Sequence, residues 1–542
     1  WTIAVARLVF PPSMNIQAPP NLSPGSLTRL VEAGINDWGG VSPVTPDHVN
    51  PEAPWPHLRI LEQTTRTAGK RLFDRLAIYP SYARASTTWV DPRLRPALLR
   101  RIDADGWPRN DDWSPGMDSP LPSEAAELEA PSVSSSEIAS ILDRAATGRC
   151  LAETEIVRLF RAREDEFTAV CAAADALRRE ACGDVVSYVV TRNINYTNIC
   201  SFKCQFCAFS KGKMSENLRG RPYRFSLDEI ATRAREAWSR GATEVCMQGG
   251  IHPDFNANTY IDICRAVRAA VPHIHVHAFS PLEVHQGAQT KRLPIETFLL
   301  QLKDAGLGTL PGTAAEVLDD EVRAILCPDK INTARWLKVI ETAHRVGLKT
   351  TATIMFGHVD GYAHWARHLL RLRELQAETG GFTELVPLPF VHMEAPIYLK
   401  GRARRGPTFR EAILMHAVGR LALYPLVSNV QTSWVKMGPA GVVACLRAGA
   451  NDLGGTLMDE TITRSAGAVH GHEMTPVMME SIIRSIGRLP RQRDTLYRDV
   501  SADRYRASFG VAARGEETPT GGSRAPAQNI HCSNHSMTLC SR

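Results

Sequence analysis

The chain has 542 residues, which at roughly 150 residues per domain sets a prior of three or four domains, or two large barrels. Hydrophobic residues make up 44% and charged residues 22%, which excludes a mainly disordered chain. With 63 Lys+Arg against 57 Asp+Glu the formal charge is +6, too slight to suggest nucleic-acid binding, and no run approaches the ~18 uncharged apolar residues of a membrane helix. Residue 1 is Trp rather than Met, and no signal peptide is evident, so the N-terminus reads as a truncation. Twelve cysteines without an export signal are expected as thiols or metal ligands in a reducing, cytoplasmic compartment.

An internal repeat opens the chain. IAVARLVF (3–10) resembles HAVGRLAL (416–423), Asn15-Ile16-Gln17 resembles Asn429-Val430-Gln431, and AGINDWGG (33–40) resembles AGANDLGG (448–455), with order and spacing kept. Residues 1–105 are therefore expected to be the tail of a truncated second copy. The stretch 106–135 is rich in Pro, Ser and acid and reads as a flexible linker; 511–542 reads as a disordered tail. Between them, 136–510 begins with helical patterns at 136–147 and 153–181. Strands follow at 186–194, 243–248, 274–279, 307–310, 349–356, 383–388, 428–433 and 451–454, with amphipathic stretches such as 226–240 and 332–346 between them. Strand–helix alternation repeated eight times predicts an α/β fold, a (β/α)8 barrel of the TIM type, preceded by the truncated barrel.

The most informative segment follows the first strand, which places it on the catalytic face of a barrel. Cys200, Cys204 and Cys207 are spaced C-x3-C-x2-C, so one loop can wrap three corners of an iron–sulfur cube and leave the fourth iron open. A structural zinc site would want four ligands, usually in two separated pairs, and no second pair lies nearby. Met247-Gln248-Gly249-Gly250 ends the second strand; paired glycines let a ligand approach the backbone, although a plain strand-to-helix turn would use them too. His273, His275 and His277 alternate along the third strand, with His277 nearest the rim as a candidate catalytic residue or a satisfied hydrogen-bonder. Glu316, after the fourth strand, could orient a substrate amine or merely cap a helix. Gly357-His358 ends the fifth strand, Glu384 sits near the start of the sixth and is the weaker candidate for it, and Trp434 and Lys436 follow the seventh. The run Arg402, Arg404, Arg405 reads as a solvated loop, and the remaining cysteines read as inert small hydrophobes or, at Cys532 and Cys540, as noise.

C-x3-C-x-aromatic-C in this context resembles the radical S-adenosylmethionine (SAM) superfamily. That resemblance implies that Cys200, Cys204 and Cys207 ligate a [4Fe–4S] cluster, that SAM chelates its open iron, and that Phe206, Gln248, Gly249, Gly250 and Ser280 help to hold SAM. Longer strings, among them GGIHPD (249–254), PGTAAEVLDDEVR (311–323), ELVPLPF (384–390), QTSWVKMGP (431–439) and ANDLGGTLMDE (450–460), are similar to the tyrosine-dependent half of the two-part synthases of a deazaflavin coenzyme precursor. QAPPNLSPG (17–25) and RLAIYPSY (75–82) are similar to the end of the partner half, whose front this chain lacks. The resemblance implies L-tyrosine and 5-amino-6-(D-ribitylamino)uracil as substrates and an electron donor such as a ferredoxin or flavodoxin, with no role for nucleic acid or membrane. A sister radical enzyme acting on futalosine-type substrates in menaquinone biosynthesis, or a non-catalytic iron–sulfur protein, would share the cysteine loop.

Overall fold

The computed structural model describes residues 1–42, 44–122, 125, 135–211 and 221–510. The tail expected to be disordered, 511–542, and most of the second half of the expected linker lie outside the described residues.

The parallel strands are β1 (Val185–Val189), β2 (Thr191–Ile194), β3 (Glu244–Met247), β4 (His275–Ala278), β5 (Thr309–Leu310), β6 (Lys349–Phe356), β7 (Phe382–Pro389), β8 (Asp452–Gly455) and β9 (Leu489–Arg493). One sheet runs β2-β3-β4-β5-β6-β7 and another β8-β1-β9. Two parallel bridges, Leu385 to Val430 and Gln431 to Asp452, join them. Because β1 and β2 are successive halves of one strand, the ring closes: the segment at 430–431 is the seventh barrel strand and β8 the eighth. Seven of the eight strands expected from the sequence are here, the one expected over 428–433 is reduced to the bridges at Val430 and Gln431, and the apolar residues between them form one continuous core. β9 was not expected. Leu489-Pro490-Arg491-Gln492-Arg493 has little apolar alternation, yet it pairs along the whole of β1.

Two local expectations are corrected. The helix expected over 153–181 breaks into Glu153–Phe160 and Asp165–Cys182. The buried Arg410 guanidinium donates to the carbonyls of Phe160 (3.0 Å) and Ala162 (2.9 Å), so those acceptors are lost to helix continuation. The arginine run is not a solvated loop either. Arg404 is buried and ion-pairs with Asp360 (2.9 Å) and Glu411 (3.6 Å), and only Arg402 of the three is exposed.

The end of the expected first unit and the first part of the expected linker together form a strap packed on the barrel. Ala104 N–H donates to Glu411 (2.7 Å), and Asp103 pairs with Arg163 (2.6 Å) and Arg410 (3.3 Å). Arg109 donates to the carbonyls of Gly406 (2.7 Å) and Pro407 (3.0 Å) and pairs with buried Asp111. Trp113 lies edge-on to Phe409 at 5.4 Å, and Gly116 is hydrogen-bonded to Lys436 and Val469 backbone. Composition suggests a tether because these bonds are made by isolated polar and aromatic residues without a period.

Residues 1–101 form helices around a small core of Ala18, Val31, Ile35, Trp38 and Leu61. They contain no β-strand among the described residues, but they reproduce a corner of the barrel bond for bond. In the barrel, Arg420 donates to Gly449 O (3.0 Å) and Asn451 Oδ1 (2.7 Å), Val430 N–H donates to Asn451 Oδ1 (2.9 Å), and Arg493 grips Asp452 while stacking on Tyr497. In the N-terminal unit, Arg7 donates to Gly34 O (2.8 Å) and Asn36 Oδ1 (3.1 Å), Ile16 N–H donates to Asn36 Oδ1 (2.8 Å), and Arg75 grips Asp37 while stacking on Tyr79. The bridge from Gln17 to Asp37 matches that from Gln431 to Asp452. One difference stands out. The helix Phe409–Leu423 is buried along its whole length, whereas Thr2–Val9 buries no residue and leaves Leu8 (86%) and Val9 (71%) exposed.

Trp113→Ala should cost the barrel about 3–5 kcal/mol, read from denaturant unfolding. A change within about 0.5 kcal/mol, as expected at fully exposed Trp1, would show that the strap is not part of the barrel fold.

Candidate active site

The cysteine loop leaves β2 at Ile194 and is fixed by its backbone. Cys200 N–H donates to Lys211 O (3.2 Å), Ser201 N–H to Ile251 O (2.9 Å) and Gln205 N–H to Leu326 O (2.7 Å), while Lys203 N–H donates to Asp329 Oδ2 (2.8 Å) and Gln205 O accepts from Ile397 N–H (2.8 Å). Segments that follow β3, β5 and β7 thus contribute to holding it. All ten described cysteines are free.

The loop fits a metal–thiolate group. Ile251 N–H points at Cys200 Sγ (3.3 Å) and Ser210 N–H at Cys207 Sγ (3.4 Å), donors of the kind that stabilise sulfur carrying negative charge. Burial pushes the Cys200 thiol up, with the Ile251 N–H opposing; burial also raises Cys204, with Lys330 opposing. Protonated thiols in such a pocket lose their protons when a metal binds.

The glycine pair is required by the loop itself. A Cβ at Gly249 would lie 2.4 Å from the Tyr196 ring, and one at Gly250 would lie 2.3 Å from Ile199 O and 3.0 Å from Cys200 Cβ. Gln248, half-buried, makes only a long contact to Cys246 Sγ (3.7 Å). Ser280 caps the helix Pro281–Thr290, and its N–H and hydroxyl both donate to Glu283 Oε2 (2.7 and 2.6 Å). Its side chain is therefore committed to a protein partner. The other Glu283 oxygen accepts from Gly249 N–H (3.2 Å) and Tyr196 O–H. Glu283, 2% exposed, thus joins three strand exits beneath the cysteine loop. Its one signal in the sequence is the capping-box spacing Ser280-x-x-Glu283, which marks a helix start and not a site.

On the opposite wall, Glu316 has a left-handed backbone (φ 44°), held by Met355 N–H donating to its carbonyl (2.8 Å). Its Oε1 pairs with Lys330 Nζ (2.7 Å); its buried Oε2 lies 3.7 Å from Arg323 and accepts no hydrogen bond. Lys330 Nζ stands 5.2 Å from the centre of the Phe206 ring, within the cysteine loop. Burial alone would lower this ammonium, but Cys204 and Glu316 beside it hold it above its ordinary value.

His277 lies inside the barrel, paired in register with Cys246, and its Nδ1 is 2.7 Å from Thr309 Oγ1. Burial lowers its pKa, so it is neutral. His275 reaches the same hydroxyl at 2.8 Å, so the two rings share a face as their alternation predicts, while His273 is exposed outside the strand. Glu384 belongs to the foot of the barrel rather than the rim, bonded to Tyr497 (2.7 Å) and near Arg493 (3.4 Å); burial raises it to about 7. Lys436, after the seventh strand, is lowered by burial to about 8.

Cys204→Ala should abolish iron uptake and SAM cleavage while leaving the circular dichroism and melting of the barrel nearly unchanged, because the loop lies on the rim; near-full cleavage would contradict the site. Glu283→Gln sets an amide N–H₂ against existing donors and should cost about 1–3 kcal/mol in unfolding experiments, together with lower iron retention. Wild-type stability and iron content in that variant would show that Glu283 does not hold the rim.

Residues 194–372 match the Radical SAM superfamily, and 379–504 match the CofH/MqnC C-terminal region. The chain is 44% identical over 548 residues to FO synthase of Streptomyces coelicolor and 46% identical over 541 residues to FO synthase of Mycobacterium tuberculosis; these alignments cover 93% and 92% of this chain but only 63% and 62% of those proteins. It is 48% identical over 351 residues to the 5-amino-6-(D-ribitylamino)uracil–L-tyrosine 4-hydroxyphenyl transferase of Methanocaldococcus jannaschii, covering 64% of this chain and 96% of that protein. Among solved structures, methylornithine synthase superposes with a TM-score of 0.52 at 15% identity (68% of this chain, 99% of that one), and the hydrogenase maturase HydG from Carboxydothermus hydrogenoformans superposes equally well at 15% identity (70% and 89%), which supports the fold. By its near-full-length match to the transferase, the chain belongs to the radical SAM family that contains that enzyme and the FO synthases.

Proposed function

We propose that the barrel transfers the 4-hydroxybenzyl group of L-tyrosine to 5-amino-6-(D-ribitylamino)uracil, a step toward the deazaflavin precursor FO, in the cytoplasm, with a ferredoxin or flavodoxin as electron donor and no part for nucleic acid or membrane. The observation that carries this reading is the 48% identity across 96% of a transferase of that name, on a barrel whose rim presents Cys200, Cys204 and Cys207 together. No helix among the described residues is long and apolar enough to cross a membrane. Cys200, Cys204 and Cys207 would hold a [4Fe–4S] cluster, which together with SAM would supply the radical chemistry for hydrogen abstraction from the substrate.

The protein's own residues position and enclose. Phe206, Gln248 and the backbone at Gly249-Gly250 form the wall of the SAM site; Ser280 acts there through Glu283, which sets the height of the glycine pair. Glu316 leaves Oε2 without a hydrogen bond but already faces Lys330 and Arg323, and it acts by holding Lys330 in place beside the cysteine loop. His277, neutral and anchored to Thr309, handles a proton inside the barrel. The foot is closed by Arg493, Asp452, Glu384 and Tyr497, which keeps water from entering behind a radical.

Residues 1–101 we read as the closing corner of a second barrel of the same kind. The repeated lock of Arg75 on Asp37 supports this, and so do the exposed Leu8 and Val9 on a helix whose counterpart is buried. No cysteine precedes Cys150, so this segment has no cluster loop of its own.

Anaerobically reconstituted protein given tyrosine, the diaminouracil, SAM and dithionite should form 5′-deoxyadenosine and the tyrosine-derived adduct of the uracil by mass spectrometry. Deoxyadenosine formation that ignores tyrosine, or no adduct, would contradict the reading.

A further inference from the structure

The group formed by Glu316, Arg323 and Lys330 carries more positive than negative charge. One carboxylate faces two cations, Lys330 at 2.7 Å and Arg323 at 3.7 Å, and side-chain exposures are 6%, 4% and 11% for Glu316, Arg323 and Lys330. The nearby Asp329 carboxylate accepts from Lys203 N–H (2.8 Å) and is exposed to solvent, so its charge is screened and it is not one of the buried group. A buried cation without a matching anion is costly, so such a site asks for a further negative charge. The segment 326–330 is fastened to the cysteine loop by Gln205 N–H on Leu326 O (2.7 Å) and by Asp329 on Lys203, which leaves Lys330 Nζ 5.2 Å from the Phe206 ring, between Cys204 and Cys207 in sequence. The cation is therefore fixed relative to the thiols and is not a loose surface charge.

We propose that Lys330, clamped by Glu316, is a positioning residue that raises the reduction potential of the metal group at Cys204 and Cys207, so that a one-electron donor can reduce it. The inference rests on the cluster-binding reading above. The step concerned is the gain of one electron from an external reductant: three thiolates on a [4Fe–4S]2+ core total one negative charge, and reduction to [4Fe–4S]1+ makes it two. A fixed cation favours the more negative state, and net charge near a cluster is one of the levers on its potential.

The test is an EPR-monitored redox titration, without SAM, of reconstituted full chain, with iron content measured for each variant. Lys330→Met should lower the reduced-to-oxidised ratio at a given solution potential about tenfold, equal to about 59 mV for one electron. Lys330→Arg should restore most of that ratio. Glu316→Gln, which removes the anion and keeps the cation, should move the potential upward. Lys330→Met with full iron and the wild-type potential would overturn the proposal, as would a downward shift in Glu316→Gln. If Lys330→Met does not take up iron, Glu316→Gln decides: a rise supports the proposal, and no change or a fall overturns it. Wild-type chain that binds no cluster would instead overturn the reading of the site on which this inference stands.

Discussion

The ring of strands depends on one buried carboxylate. Asp452, fully buried at the start of β8, accepts from Ser187 on β1 (2.5 Å), from Gly454 N–H (2.6 Å) and from the Arg493 guanidinium at the end of β9 (2.6 and 2.9 Å). It therefore ties the first strand, the last strand and the strand that closes the foot. A parallel barrel has no hairpins to fix its closure, so side chains that span the seam set which strands meet and in which register. Removing one partner from such a buried group leaves an uncompensated charge, which is far costlier than losing an exposed ion pair. The same carboxylate, arginine and tyrosine recur as Asp37, Arg75 and Tyr79. The local lock thus forms in both places, while only the helix of the closed ring, Phe409–Leu423, is buried behind it.

What the foot does for closure, Glu283 does for the rim. Its two oxygens gather Tyr196, Gly249 and Ser280, and the glycine that results lies against the tyrosine ring that the same carboxylate holds. The cysteine loop then rests on Gly250, where even a methyl group would strike Ile199 O. Chemistry at the three thiols accordingly depends on hydrogen bonds made one layer below them, and on the Lys330 segment that clasps the loop from the other side.

Much of this was legible in the sequence. The strands could be read because each buried strand is a short apolar run between helical patterns, and the cysteine loop could be read because its spacing allows few other uses. β9 escaped because Arg491, Gln492 and Arg493 look like a solvated segment; their partners, Asp499 for Arg491, Ser508 for Gln492 and Asp452 for Arg493, lie 8, 16 and 41 residues away. The strap at 102–117 escaped for the same reason, since Arg109, Asp111 and Trp113 find their partners 298 or so residues on. Arg404 shows the converse error: a basic run is normally solvated, but this one meets buried Asp360 and Glu411. Periodicity reports which face is apolar; it cannot report pairings between distant polar residues, and here those pairings shape both ends of the barrel.

The central claim is that the loop of Cys200, Cys204 and Cys207, on the rim of the closed barrel, would hold a [4Fe–4S] cluster through these three thiolates alone. A crystal structure of anaerobically reconstituted protein with SAM, with iron located by anomalous scattering, tests it most directly. The account predicts four irons, three bonded to these sulfurs and the fourth bonded to no protein side chain. Iron bound at Cys327, or a fourth iron bonded to a protein side chain, would contradict it.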